Sequence, residues 1–286
     1  MTDLLEPPVS LTLASVPGAR ARERYRRDDA PVPAAWNETL DVLLSHRSVR
    51  AFRPDPVPPG TLETLVEAAQ SAPASSNLQV WSVVAVEDVA RKARLAALAG
   101  NQKHILEAPL FLVWLVDLHR LTVLAQERDG EHGALSYLET FLLGAVDTAL
   151  AAQNAVVALE SLGLGAVYIG GIRNRPAEVA AELGLSPRVF PLVGLAVGWP
   201  DPQRPASVKP RLPQASVLFR EQYAWGEHQR QAAASYNQAL RSFQREQGMI
   251  EQDWTHQAAD RTRGPESMAG RHRLREILEG LGFELK

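Results

Sequence analysis

The chain has 286 residues, 45% of them apolar and 22% charged, with 33 acids against 30 bases and a net charge of −3. This is ordinary globular composition for one or two domains, and it offers no global field for nucleic acid or an anionic membrane. The absence of cysteine removes thiol nucleophiles, Cys-ligated zinc, iron–sulfur clusters and disulfides together.

The start, MTDLLEPPVSLTLASVPG, is acidic and broken by proline. It lacks the basic region and apolar core of a signal peptide, which reads as a cytoplasmic protein. Residues 1–36 hold five prolines and the charged run ARERYRRDDA. They show no clear periodicity and read as an extension, loosely packed or mobile, whose charges form a solvated face. From Trp36 to His46 the apolar positions Trp36, Leu40, Leu43 and Leu44 follow a helical period. A second helix starts near Thr61 and is ended by Pro73. Residues 79–87, rich in Val and Trp, read as a strand, and a helix follows over about 88–99, closed by Gly100. The continuous apolar run 110–118 has strand length and reads as a strand covered on both faces.

Residues 134–162 form the longest apolar stretch but include Glu139, Asp147, Gln153, Asn154 and Glu160. Such residues argue against a membrane span and for a central buried helix that also serves as a dimer seam. Gly163 is its expected cap. A strand follows at about 165–170, a short helix from Pro176 to Gly184, and a buried strand over 189–199. Residues 200–216, with five prolines, read as a surface connection, and 219–247 and 266–282 as polar helices. No internal repeat appears. Helices and four or five strands without strict alternation make an α+β sandwich the expected class.

No GxSxG, HExxH, Walker loop or GxGxxG after a strand is present, and the seven histidines are scattered. A borrowed cofactor is then the natural source of reactivity. Four segments could hold one. In HRSVRAF (46–52), Arg47 and Arg50 are three apart, so a helix or turn would put both guanidiniums on one side with Ser48 between them. The arginine fork matches phosphate oxygens, although cations also favour any helix C-terminus. In SVKPRLP (207–213), Lys209 and Arg211 sit in a proline-stiffened loop. In VYIGGIRN (167–174), a strand runs into Gly170-Gly171, where a flat ligand can approach the backbone. In APASSNLQVW (72–81), Ser75, Ser76, Asn77 and Gln79 offer short hydrogen-bonding side chains that equally suit a turn.

Taken together and in this order, these segments resemble the oxygen-insensitive NADPH nitroreductase and NADPH-flavin oxidoreductase family. Further matching pieces are GNQKHILEAP (100–109), LLGAVDTALAAQNAVVALESLGLGAVYIGGIRN (142–174), PLVGLAVGWP (191–200) and KPRLP (209–213). The resemblance covers about residues 38–286. It implies an α+β, three-layer fold: a central mixed, mostly antiparallel sheet flanked by helices, in an intertwined homodimer. It implies a single FMN-binding domain over 37–286, with 200–216 as an extended connection and 217–286 as a C-terminal helical part. His46, Arg47, Ser48, Lys209 and Arg211 would surround the FMN phosphate. Ser75, Asn77, Gln79 and Gln102 would face ribityl or ring polar atoms. Tyr168, Ile169, Gly170 and Gly171 would line the ring, with a backbone N–H near N5. Arg50 would serve the flavin, the pyridine nucleotide or both.

The implied activity is an FMN-dependent NAD(P)H oxidoreductase, a flavoprotein that turns over by ping-pong transfer of two electrons to nitroaromatics, quinones or flavins. A flavin reductase supplying reduced flavin, or a non-catalytic flavin-binding protein, are the alternatives. In the family, arginines that meet the NADPH 2′-phosphate precede an Asp-x-Trp-like segment. Here GMIEQDWTHQ (248–257) puts Glu251 and Gln252 at those places. A carboxylate there repels a 2′-phosphate, so NADH stands beside NADPH as the expected donor, with Arg261, Arg263, Arg271, Arg273 or Arg275 as compensating cations.

Overall fold

The computed structural model describes residues 17–28 and 30–286. The reading of the N-terminal extension lies outside the described residues for 1–16 and 29. In chain order the helices are α1 (Pro17–Tyr25), α2 (Glu38–Ser45), α3 (Thr61–Gln70), α4 (Val89–Leu98), α5 (Lys103–Glu107), α6 (His119–Gln126), α7 (Leu138–Ser161), α8 (Pro176–Leu183), α9 (Glu227–Glu246), α10 (Trp254–Arg261) and α11 (Leu274–Gly280). The strands are β1 (Trp81–Val86), β2 (Leu110–Asp117), β3 (Gly165–Ile169) and β4 (Val189–Gly198). The chain divides into two compact units, one of residues 1–47 and 207–267, the other of 48–206 and 268–286.

In the second unit the strands form one sheet in the order β1-β2-β4-β3, every pair antiparallel. Alternation along β2 builds two cores. Phe111, Val113 and Leu115 face one side with Val167, Ile169, Leu95 and Val179. Leu110, Leu112 and Trp114 face the other with Leu65, Ala151, Ala155 and Leu159. Helices α4, α5 and α8 therefore cover one face and α3 and α7 the other, so the expectation that β2 is covered on both sides is met. The register of β4 slips between Trp114 and Leu115, where Val193 and Pro191 are the successive partners. Leu192 is the extra residue, and a bulge of this kind accommodates the proline, which has no N–H for the ladder.

Helix α7 is long and apolar enough to cross a membrane by length and composition. Its buried face instead packs on α3 and the sheet and includes Asp147 and Thr148. It starts four residues later than its composition indicates, because Tyr137 is extended and a 3₁₀ turn occupies Gly133–Ser136. The expected helix over 266–282 is likewise broken: Ala269 and Gly270 both take left-handed backbone angles. Two short 3₁₀ turns stand in its place before α11.

In the first unit α9 is amphipathic. Tyr236, Leu240 and Phe243 pack with Leu212 and Trp254. Helix α9 begins eight residues beyond the expected start, and α10 was not legible in the sequence. Asn37 caps α2, its side chain accepting from the Leu40 N–H at 2.9 Å. Helix α1 falls in the stretch that showed no periodicity. Its Ala21 and Arg24 are buried, so the run ARERYRRDDA is not simply a solvated face.

Candidate functional site

The first unit carries cations on two segments. His46 ends α2: its φ and ψ of −50° and 132° leave the helix, with its N–H reaching the Leu43 carbonyl at 3.4 Å. Arg47 follows, exposed, its guanidinium on the Ser45 carbonyl at 3.2 Å. Beyond it the backbone is not helical; Ser48 bridges to Ala166 and Val49 is buried. The helical backbone that would put Arg47 and Arg50 on one side is therefore not present over 46–50. The second segment, Lys209–Arg211, is held residue by residue. Arg24 Nη1 donates to the Lys209 carbonyl at 3.0 Å, the Tyr236 hydroxyl to the Pro210 carbonyl at 2.9 Å, and the Arg211 N–H to the Arg24 carbonyl at 3.1 Å. Arg24 Nη2 also donates to the carbonyls of Leu44 and His46, at 2.8 and 2.6 Å.

In the second unit the end of β3 turns through a 3₁₀ turn, Gly170–Arg173. A Cβ on Gly171 would lie 2.4 Å from the Ala99 carbonyl oxygen and 2.6 Å from Gln102 Nε2, so only glycine fits. Gly170 is more open: its Cβ would meet guanidinium nitrogens of Arg173 at 3.6 Å and Arg271 at 3.8 Å. Arg173 is fixed by donating to the carbonyl of Leu192, the bulged residue of β4. Burial, and then the charge of Arg271, hold its pKa below the ordinary arginine value. Ile169 is buried, while Tyr168 leans toward α7, its hydroxyl 3.4 Å from Gln153 Oε1. Burial, helped by the Glu160 carboxylate, raises the Tyr168 pKa and keeps the phenol neutral. Arg50 acts on α5: burial first, and then the Arg50 charge, depress the His104 imidazole, against an opposing pull from Glu107. His104 Nε2 and Asn174 Oδ1 are buried with no hydrogen-bond partner among the described residues.

Ser75, Ser76 and Asn77 form a 3₁₀ turn before β1, and Ser76, Asn77 and Gln79 all have φ near +50°, at 51°, 55° and 51°. Asn77 suits that region, in which asparagine is enriched, whereas Ser76 and Gln79 are uncommon there. The turn is held from α7. Both carboxylate oxygens of Asp147, which is 1% exposed, accept from the Ser75 N–H, at 3.1 and 3.2 Å. Asn77 and Gln79 line a cleft of about 320 Å³ with Gln70, Trp81 and Arg120.

The structure therefore brings Gln102 to Gly170 and Gly171 but does not bring Ser75, Asn77 and Gln79 to them. β1 and β3 are the two edges of the sheet, so these groups stand three strand spacings apart, about 14 Å. Sequence reading missed Arg24, Asp147, Arg173 and Asn174. Arg173 and Asn174 carried a signal, since only Ile172 separates them from the paired glycines. Asp147 had served only as an argument against a membrane span. The carboxylate of Glu251 is paired in place by Arg245, at 2.9 and 2.8 Å, and held below the usual carboxylate range by it. Of the compensating cations, Arg263 and Arg273 sit on Asp260 and Glu276, whereas Arg271 donates to the Met268 carbonyl, at 2.9 Å.

Each unit by itself carries groups whose chemistry suits part of a flavin mononucleotide. The first has Arg47, Lys209 and Arg211 for a phosphate, and the second a glycine pair with backbone room for a flat ring. Among the described residues no cluster of His, Asp or Glu could hold a metal ion.

Comparison with known proteins follows the same outline. Residues 43–199 match the model of the nitroreductase family, and residues 209–286 that of the nitroreductase family C-terminal domain. An FMN reductase [NAD(P)H] of Bacillus subtilis is 36% identical over 253 residues, 87% of this chain and 99% of that protein. An oxygen-insensitive NADPH nitroreductase of Salmonella typhimurium is 42% identical over 185 residues, 65% of this chain and 74% of that one. The solved structure of the hypothetical oxidoreductase YcnD from Bacillus subtilis superposes with a TM-score of 0.82 at 34% identity, covering 88% of this chain and 100% of that one. With more than half of its length matched from the HRS segment to the end of the sheet, this chain belongs to the nitroreductase family.

Proposed function

We propose that this chain is an FMN-dependent NAD(P)H oxidoreductase that reduces nitroaromatics, quinones or flavins. The observation that carries the reading is the glycine pair at the end of β3, where a side chain on Gly171 would collide with Ala99 and Gln102, within a family-matched chain. Bound FMN would supply the two-electron redox chemistry between NAD(P)H and the acceptor.

The protein's own part is binding, orientation and field. His46, Arg47, Lys209 and Arg211 are the proposed phosphate ligands, with Ser48 and Arg50 next along the chain. Arg forks and a lysine together match a dianionic phosphate. Gly170 and Gly171, with Tyr168, Ile169 and Gln102, line the ring. Fixed cations such as Arg173 and Arg271 would stabilise negative charge developing there without reorganising.

The reading includes a homodimer. Leu138, Leu142, Val146 and Leu150 recur every four residues along α7 and are 40–55% exposed. That is an apolar ridge of the kind that packs against another helix. The same helix holds the Ser75 turn through Asp147. A second copy seated on the ridge would offer its Ser75, Ser76, Asn77 and Gln79 to the ring, which supports a site completed by both subunits. The use of α7 as a packed core helix supports a water-soluble enzyme, which this reading places in the cytoplasm.

The relatives' names favour a second reading as well, a flavin reductase that hands reduced flavin to another enzyme. The test is the visible spectrum of the purified protein, before and after anaerobic NADPH or NADH in separate cuvettes. A flavin spectrum bleached by either nucleotide is expected. Turnover on free FMN against turnover on a nitroaromatic then separates the two readings. A protein that is colourless and cannot be reconstituted with FMN would overturn both, and bound flavin that neither nucleotide bleaches would mean a non-catalytic flavin-binding protein.

A further inference from the structure

Helix α1 precedes the family-matched residues, which begin at 43, yet it is tied into the first unit at several points. Arg20 forms a two-bonded ion pair with Asp41 on α2, at 2.9 and 3.2 Å. Arg26, just past the helix, pairs with Glu246 at 2.5 Å and lies 5.3 Å from the Phe243 ring centroid. Arg24, only 6% exposed, reaches between α2 and the Lys209 segment.

Its acceptors matter. The Leu44 and His46 carbonyls belong to the C-terminal end of α2, where backbone oxygens lack helical partners and the helix dipole is negative. That polarity is unfavourable for the segment that goes on to His46 and Arg47 if that segment is to receive an anion. A guanidinium placed on those oxygens satisfies them and offsets their field. A further Nη bond, to the Lys209 carbonyl, and the Arg211 N–H on the Arg24 carbonyl fix the second cation segment to the same residue.

We infer that Arg24 is a positioning residue for the phosphate end of the cofactor site, holding the His46–Arg47 and Lys209–Arg211 segments at a set spacing and cancelling the negative end of α2 beside them. This rests on the assignment of those four residues to the FMN phosphate. Helix α1 is thereby a strap that preorganises the cation pair, and it need not touch the ligand. Preorganisation of this kind shows in affinity because the ordering cost is met before binding.

The test uses two ligands that differ only by the phosphate. Apoprotein of the full chain, as wild type, Arg24→Ala and Arg24→Lys, is titrated with FMN and with riboflavin, with circular dichroism and melting temperature recorded for each. Wild type is expected to prefer FMN. Arg24→Ala is expected to weaken FMN about tenfold and to leave riboflavin within about twofold. Arg24→Lys, which keeps the charge but cannot span three carbonyls, should recover part of the preference. A wild type that binds both ligands equally would overturn the phosphate assignment itself. A wild type that prefers FMN while both variants keep the full preference would overturn the role of Arg24 alone. Equal weakening of both ligands would make Arg24 a merely structural residue and also overturn it. If Arg24→Ala does not fold, the Arg24→Lys ratio decides by the same comparison.

Discussion

The guanidiniums of Arg173 and Arg271 converge on Gly170: both come within 4 Å of the point where a Cβ would stand on that glycine. Neither has a carboxylate partner among the described residues. Arg173 is tethered to the bulged carbonyl of Leu192, and Arg271 donates to the Met268 carbonyl. Two like charges so close favour an anionic group between them. Arg271→Gln is therefore expected to raise the KM for NAD(P)H or for a carboxylated nitroaromatic about tenfold, with little change for an uncharged quinone. Steady-state kinetics on the two acceptors check this. An equal loss on both would mean that the substitution had disturbed the fold of the site.

Asp147 and the Ser75 N–H form the second such relationship. The carboxylate is buried in α7, and its loss would leave that amide without its partner and release a turn that runs through the left-handed Ser76 and Asn77. Asp147→Ala is expected to lower stability by about 2 kcal/mol and to weaken flavin binding. Asp147→Asn, which keeps one acceptor oxygen, should lose less of both. Urea unfolding beside FMN titration reads the two effects, and an alanine variant as stable as wild type would remove Asp147 from this role.

The two glycines at the end of β3 are expected to behave differently. A methyl group at Gly171 meets a backbone oxygen at 2.4 Å, which cannot move away cheaply. Gly171→Ala should cost roughly 1–3 kcal/mol of stability and lose bound flavin. At Gly170 the nearest atoms are the far ends of two arginines at 3.6 and 3.8 Å. Gly170→Ala should fold normally, and any loss it shows should appear in cofactor or substrate binding. Melting curves with and without FMN separate the cases.

The sheet and the long helix were legible because their signals are local. The continuous apolar run of β2 and the Gly163 and Gly184 stops follow from burial and backbone freedom over a few residues. What was illegible depends on contacts distant in sequence. The spacing of HRSVR suits a helix or a turn, whereas Ser48 pairs with Ala166, a partner far along the chain. Arg24 sat in a stretch without periodicity, and its burial depends on carbonyls of Leu44, His46 and Lys209 far along the chain. The bulge at Leu192 that aims Arg173 had no sequence signal beyond Pro191. That the Ser75 turn stands apart from Gly170 follows only from the strand order.

The exposed ridge of α7 gives a direct test of assembly. Leu142 and Val146 are about half exposed and carry no visible role within one chain. Val146→Glu or Leu142→Arg places a charge in the middle of the ridge. Each variant is expected to sediment as a monomer where wild type sediments as a dimer, since burying an unpaired charge costs several kcal/mol. Weakened FMN binding in the monomer would follow if the partner's Ser75 turn completes the site. Wild type that sediments as a monomer at micromolar concentration would refute the assembly.

His104 supplies a pH signature. Its folded pKa lies below the ordinary 6.5 because burial, and then the Arg50 charge, disfavour the imidazolium, with Glu107 only partly opposing. As pH falls below 6.5 the unfolded chain takes up the proton first. The unfolded state then binds more protons than the native state, so stability rises with pH through that window and levels off above it. The carboxylates displaced downward, among them Glu182, Asp201 and Glu251, are already ionised across the window and titrate lower. Wild type should therefore melt at lower temperature at pH 5 than at pH 7, with a slope no steeper than one proton. His104→Gln should flatten that slope, and Arg50→Gln, by removing one of the two causes, should reduce it. A slope unchanged in His104→Gln would assign the dependence to another group.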